Sequence, residues 1–266
     1  MQTTALWNLA ALAALLPAAL LPWRRSGGRD GAFWLVLALA VVGSGGWAAA
    51  QLSDSWHSSL GVALWVSVAI SAALFAILSA VVPFAWRLAP LLLPYLAALG
   101  VLAAILKGAE LRPLGAGAPA AWLQLHILMS VLTYALATIG AVAALAAFLQ
   151  ERALKAKRPT PLTRLLPSVA DAESLTVRLL AASEAVLGLG LATGMATQWF
   201  EIGRALAMDH KTLLSLLAFA VIGGLLLAHR LTGVRGRRAA RLVLLAWLLL
   251  TLAYPGVKFV TQVLLV

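Results

Sequence analysis

Apolar runs separated by short breaks rich in polar residues, glycine or proline follow one another eight times along the chain. Most runs reach the roughly 20 residues that an α-helix needs to cross the hydrocarbon core of a bilayer. They predict spans at Thr4–Trp23, Ala32–Leu52, Leu60–Val82, Leu91–Leu106, Ala120–Leu149, Thr176–Trp199 and His210–His229, and an eighth from Leu242 through Pro255. The fourth run is short, which predicts a helix with little tilt or one lying partly in the interface. The fifth is long. It continues into a polar, basic connector and predicts a helix that extends beyond the bilayer until Pro159. No internal repeat, low-complexity tail or soluble domain is visible. The expected fold is an all-α polytopic bundle of eight spans, a single integral membrane domain over residues 1–266.

Composition sharpens that class. Hydrophobic residues make up 63% of the 266 and charged residues 11%, against about half and a quarter in soluble domains. The net charge of +11 would suit nucleic acid, but the basic residues sit in short connectors and no aromatic-plus-basic platform accompanies them. The odd-numbered connectors carry fourteen of the 20 Lys and Arg residues, and the even-numbered connectors with the C-terminal end carry four. The positive-inside rule then places both termini outside. The first run lacks a basic leader and a small-residue cleavage pattern, so it reads as a retained helix. Cysteine is absent, which excludes disulfides, thiolate metal sites and thioether attachment of a cofactor to this chain.

Candidate chemistry is sparse and therefore informative. In the fifth run His126, Ser130 and Tyr134 recur every four residues, so they share one stripe of a helix. An ionisable residue within a span is a functional candidate by default; the plainer alternative is hydrogen bonding to neighbouring helices. The predicted topology puts His126 and His210 at a common depth near the outer face, and His229 at the inner face. His210 and His229 are separated by about 28 Å of helix and do not share an ion. His126 and His210 fit as axial ligands flanking one flat haem from two helices. His57, in the loop SDSWHSS, reads as solvated. Trp122 and Trp199 fall at the outer boundary, as interfacial anchors or as surfaces for a macrocycle. Glu184 reads as a hydrogen-bonding partner of a neighbouring helix, with a proton-relay role as the sharper option. Gly190 and Gly194 have the GxxxG spacing of close helix packing.

Three stretches carry a family resemblance: WLQLHILMSVLTYALA, DHKTLLSLLAFAVIGGLLLAHR and GVRGRRAA. They resemble the cytochrome c assembly family of integral membrane haem-handling proteins, of CcsA and CcmC type, and most of all its eight-span YpjD/HemX-like branch. The resemblance implies that His126 matches an external histidine that ligates haem iron, and that His229 matches a histidine of a site nearer the inner face. Asp209 stands where the family's tryptophan-rich motif ends in aspartate. The sequence departs there: FEIGRALAM replaces the tryptophans except Trp199, and YPGVKFVTQ lacks the late external histidine, for which His210 is the candidate substitute.

The expectation is thus a multi-pass inner-membrane protein that holds haem b non-covalently near its outer face. Its iron ligands would be His126 and His210, with Ser130 and Tyr134 as supporting polar groups, Trp122 and Trp199 as packing surfaces and His229 as a weaker second site. Its partners would be haem, membrane lipid and other cytochrome-assembly or haem-biosynthesis proteins, with no nucleic acid and no catalytic turnover. The competing classes are a small-solute or ion transporter working through Glu184 and the proline-interrupted spans, and a regulatory scaffold without a ligand.

Overall fold

The computed structural model describes residues 2–24, 28–53, 59–106, 119–204 and 207–261. They form α1 (Gln2–Arg24), α2 (Gly31–Ser53), α3 (Leu60–Val81), α4 (Ala89–Ile105), α5 (Ala120–Lys155), the short α6 (Pro161–Leu165), α7 (Val169–Ile202), α8 (His210–Thr232), α9 (Gly236–Thr251) and a last turn α10 (Val257–Phe259). Among the described residues eight helical stretches are long and apolar enough to cross a membrane, and there is no strand. The all-helical, eight-span expectation stands.

Three spans differ from the pattern: the eighth begins at Gly236 and not at Leu242, so part of the basic turn is helical, and the fourth and sixth are longer than expected. The fourth span is not short. A 3₁₀ turn at Ala85–Leu88 runs straight into α4, with Pro90 in the first helical turn, so 21 residues from Ala85 to Ile105 form one stretch. Proline lacks only an N–H that the first turn leaves unbonded anyway. The sixth span is longer than its apolar core suggests, because α7 begins at Val169, where the Ser168 side chain accepts a hydrogen bond from the Asp171 N–H. His57, with Asp54 and Trp56, lies outside the described residues.

α5 is the axis of the bundle. Of its most apolar stretch 78% is buried inside the protein, against 17% for α8. Small residues make this possible: Ala135, Ala137, Ala141, Ala143, Ala144 and Ala146 are all buried, and their short side chains let α7 approach closely. One face of α5 joins α1–α4 and the start of α7 in a core built on Leu15, Leu37, Trp65, Phe75 and Leu92. The other face joins α7, α8 and α9 around Leu187, Ile222, Val243 and Leu250.

Polar groups fix the connections. The Gln150 amide donates to the carbonyls of Thr163, Leu166 and Pro167, which folds α6 back on the end of α5. Thr160 caps α6 through a reciprocal bond with Thr163. Asp209 accepts from the Thr212 N–H and starts α8. α7 and α8 end on Gly203 and Gly233, both at φ 68°, a conformation that glycine adopts without a Cβ penalty. At the opposite end of the bundle from His126, the Gly236 N–H donates to Glu173 and holds the α8–α9 turn against α7.

Candidate functional site

α9 does not continue as a regular helix. Leu252–Gly256, containing Pro255, form a π-helical turn before α10. Proline removes one backbone donor and its ring crowds the preceding turn, and widened turns of this kind re-aim side chains. Here Ala253 and Tyr254 face α5 and form a wall shared by two cavities. The first, about 350 Å³, lies among α5, α7, α8 and α9; the second, about 370 Å³, lies between α3, α5 and α10. His126, Ser130, Lys211, Ala253 and Tyr254 line both, so the two are lobes of one site. Each is within the size range of small-molecule sites.

His126 is half-buried between the lobes and is held by α7. Its Nδ1 lies 3.1 Å from the Gly190 carbonyl oxygen and 3.3 Å from Thr193 Oγ1. A carbonyl only accepts, so Nδ1 carries the hydrogen and Nε2 presents a lone pair. A backbone carbonyl on the far nitrogen is the usual device that fixes the tautomer of a metal-ligating histidine. Gly194 makes room for the ring: a Cβ there would stand 2.9 Å from His126 Cε1. The Gly190/Gly194 spacing thus seats an imidazole as well as a helix.

The floor of the first lobe is aromatic. Tyr134 is buried, and its hydroxyl lies 3.0 Å from that of Tyr95 on α4. Its ring centroid is 5.9 Å from that of Tyr254. Tyr95 also packs edge-on against Trp247, whose indole N–H donates to Thr138. All three tyrosines of the chain therefore meet beneath His126, from α4, α5 and the π turn. Ser130 lines both lobes, while its hydroxyl donates back to the His126 carbonyl, one turn earlier.

The predicted residues sort cleanly. The structure brings His126, Ser130 and Tyr134 to one site. It does not bring His210 there. His210 is exposed at the first position of α8 and lines neither lobe; its neighbour Lys211 lines both. The two-histidine clasp of His126 and His210 is therefore not assembled around this cavity. Trp122 and Trp199, 40% and 58% exposed, stand outside the lining as boundary residues. His229 braces the α8–α9 turn, its Nδ1 3.0 Å from the Val234 carbonyl oxygen, beside a cavity of only about 40 Å³, too small for a macrocycle. Glu184 makes no interhelical hydrogen bond among the described residues. Its Oε2 is buried without a partner, and its Oε1 sits where a Cβ on Gly223 would come within 2.8 Å. Glu184 lines neither lobe.

The sequence matches the family described as Cytochrome C assembly protein over residues 35–265. This chain belongs to the cytochrome c assembly protein family. Membership ties it to cytochrome c biogenesis and, with its eight apolar helices, makes it a multi-pass membrane protein of that family. It is 56% identical, over an alignment of 270 positions that covers 100% of both chains, to an uncharacterized 28.8 kDa protein of the nifR3-like 5′ region from Azospirillum brasilense. No solved structure matches.

Proposed function

We propose that this member of the cytochrome c assembly family binds haem b non-covalently in the two-lobed cavity, with His126 Nε2 as an axial ligand of the iron. The observation that carries the reading is the seating of His126: α7 occupies Nδ1 with a carbonyl, and Nε2 is left as the acceptor of a side chain that lines both lobes. The donor set fits the group. Haem requires a neutral imidazole, an apolar slot and partners for two carboxylates. The site supplies one imidazole, walls from Leu123, Leu187, Leu191 and Leu250, and two lysines. A bound haem supplies an iron centre open to axial ligation; this chain's part is to orient it and to keep it within the apolar slot.

On the positive-inside count, this end of the bundle faces outward across the inner membrane. The role is haem handling in cytochrome c assembly or control of haem supply, without catalytic turnover. Except for Trp199, the tryptophans that would present haem to a second protein are missing before Asp209, which favours holding haem over direct transfer.

The test is optical. Protein purified from haem-supplemented cells is expected to show a Soret band. His126→Ala is expected to abolish the band, and His210→Ala, outside the cavity, to leave it. A colourless, well-expressed wild-type protein, or a band indifferent to His126→Ala, rejects the reading.

A further inference from the structure

At the end of the bundle opposite His126, three connectors converge on a further cavity of about 160 Å³. The turn between α1 and α2 brings Asp30, the 3₁₀ turn before α4 brings Trp86 and Arg87, and α6 brings Arg164. Leu21, Phe33 and Pro90 give it an apolar floor. These are the first, third and fifth connectors, which the positive-inside count assigns to the cytoplasmic side.

The two arginines are held there by separate devices. Gln150 folds α6 back on the end of α5 and Thr160 caps it, which sets Arg164 at the cavity, exposed. Arg87, also exposed, has its guanidinium carbon 5.6 Å from the centroid of the Trp86 ring, and Trp86 packs edge-on against Phe33. An aromatic platform thus carries that cation. Neither arginine is in an ion pair among the described residues. Asp30 also lines the cavity, and its Oδ1 accepts a hydrogen bond from the Phe33 N–H at the start of α2. Counted against the two guanidiniums, its carboxylate leaves the described lining with one positive charge. Arg29 is spent elsewhere, donating to the Ser79 and Ala80 carbonyls at the end of α3.

Cations on this side orient the protein whether or not they bind anything. Orientation alone does not require two guanidiniums from different connectors to meet over an apolar floor. Guanidinium groups match the oxygens of a phosphate, and basic pockets between spans on the cytoplasmic side suit anionic lipid headgroups. The cavity has less than half the volume of the first lobe beside His126, a space for a phosphate and its glycerol and not for a macrocycle.

We propose that Arg87 and Arg164 bind the phosphodiester of an anionic phospholipid of the cytoplasmic leaflet, with Phe33 and Trp86 against the glycerol and the start of the acyl chains. The site is separate from the haem cavity and does not depend on the haem reading.

Delipidated full-length protein in detergent is titrated with dioleoyl phosphatidylglycerol and with dioleoyl phosphatidylcholine, and bound lipid is followed by native mass spectrometry. The wild type is expected to hold phosphatidylglycerol about tenfold or more tightly than phosphatidylcholine. Arg87→Gln/Arg164→Gln is expected to remove that preference. Arg238→Gln/Arg241→Gln, exposed on α9 and outside the cavity, is expected to keep it. Equal wild-type affinity for the two lipids overturns the proposal. So does a preference that survives the first pair of substitutions, or one that falls equally with the second and so belongs to the basic surface as a whole. Glycerol 1-phosphate that displaces the lipid at matched concentration gives the cavity to a soluble phosphate ester and overturns the lipid assignment. The wild-type comparison needs no mutation, so a poorly folding variant does not protect the proposal.

Discussion

On one side of α5, helices α1–α4 close on Trp65, Phe75 and Leu92, none of which has any exposed surface. On the other, α7, α8 and α9 leave an opening of about 350 Å³. Both halves are drawn from the same apolar alphabet, and one polar side chain in each, Asn8 and His126, meets a different fate. In the first half Asn8 is buried, and its side-chain oxygen accepts hydrogen bonds from the indoles of Trp65 at 2.8 Å and Trp47 at 3.2 Å. Its amide donates to the Thr4 carbonyl, so that capacity is consumed internally. In the second half His126 lines a cavity with its Nδ1 engaged by α7. A membrane protein cannot leave polar groups against lipid without cost. Asn8 and His126 thus answer that cost in two ways, the one by closing neighbours over its polar atoms and the other by keeping space beside them.

Substitutions that break the contrast should separate stability from ligand binding. The largest effect is expected at Trp65→Ala, which empties a fully buried site and should cost about 3–5 kcal/mol, measured by denaturant or thermal unfolding in detergent, with haem affinity of the folded fraction unchanged. Asn8→Leu comes next: it strands two buried indole N–H groups and should destabilise by on the order of 2 kcal/mol, again without a spectral change. A matched glycine pair sharpens the comparison further. In the first half a Cβ at Gly43 would stand 2.4 Å from Ala14 Cβ, so Gly43→Ala should cost about 1–3 kcal/mol through overpacking of α1 against α2. In the second half Gly194→Ala pushes on the His126 ring, beside a cavity into which it can yield. It should change stability by under about 1 kcal/mol while weakening haem binding in a Soret titration. If both alanines act on stability alone, the two halves are not functionally distinct.

The spans were legible because a bilayer imposes one length and one polarity on every helix that crosses it. The fourth span reads short because Pro83 and Pro90 bound a stretch that looks like a connector, whereas Pro90 sits in a first turn that tolerates it. Position along each helix was legible: His126 lies in the second turn of α5 and His210 at the first position of α8. Azimuth was not. One residue turns a helix by about 100°, which is the difference between an exposed His210 and a cavity-lining Lys211. Tyr254 and Lys258 were hidden for another reason. The π turn at Pro255 re-aims the end of the last span, and no period written for a regular helix anticipates that. The Gly190/Gly194 pair was visible as a packing motif, but its imidazole guest belongs to α5 and appears only once the helices are brought together.

The account's central claim is that one seated imidazole, at position 126, anchors the haem. The most direct measurement is chemical rescue: His126→Gly is purified, supplied with haem, and its Soret band followed while free imidazole is added. The account predicts that the variant folds as wild type, lacks the band, and regains it as imidazole fills the space left beside Gly190 and Gly194. A variant that keeps a full Soret band without added imidazole contradicts it.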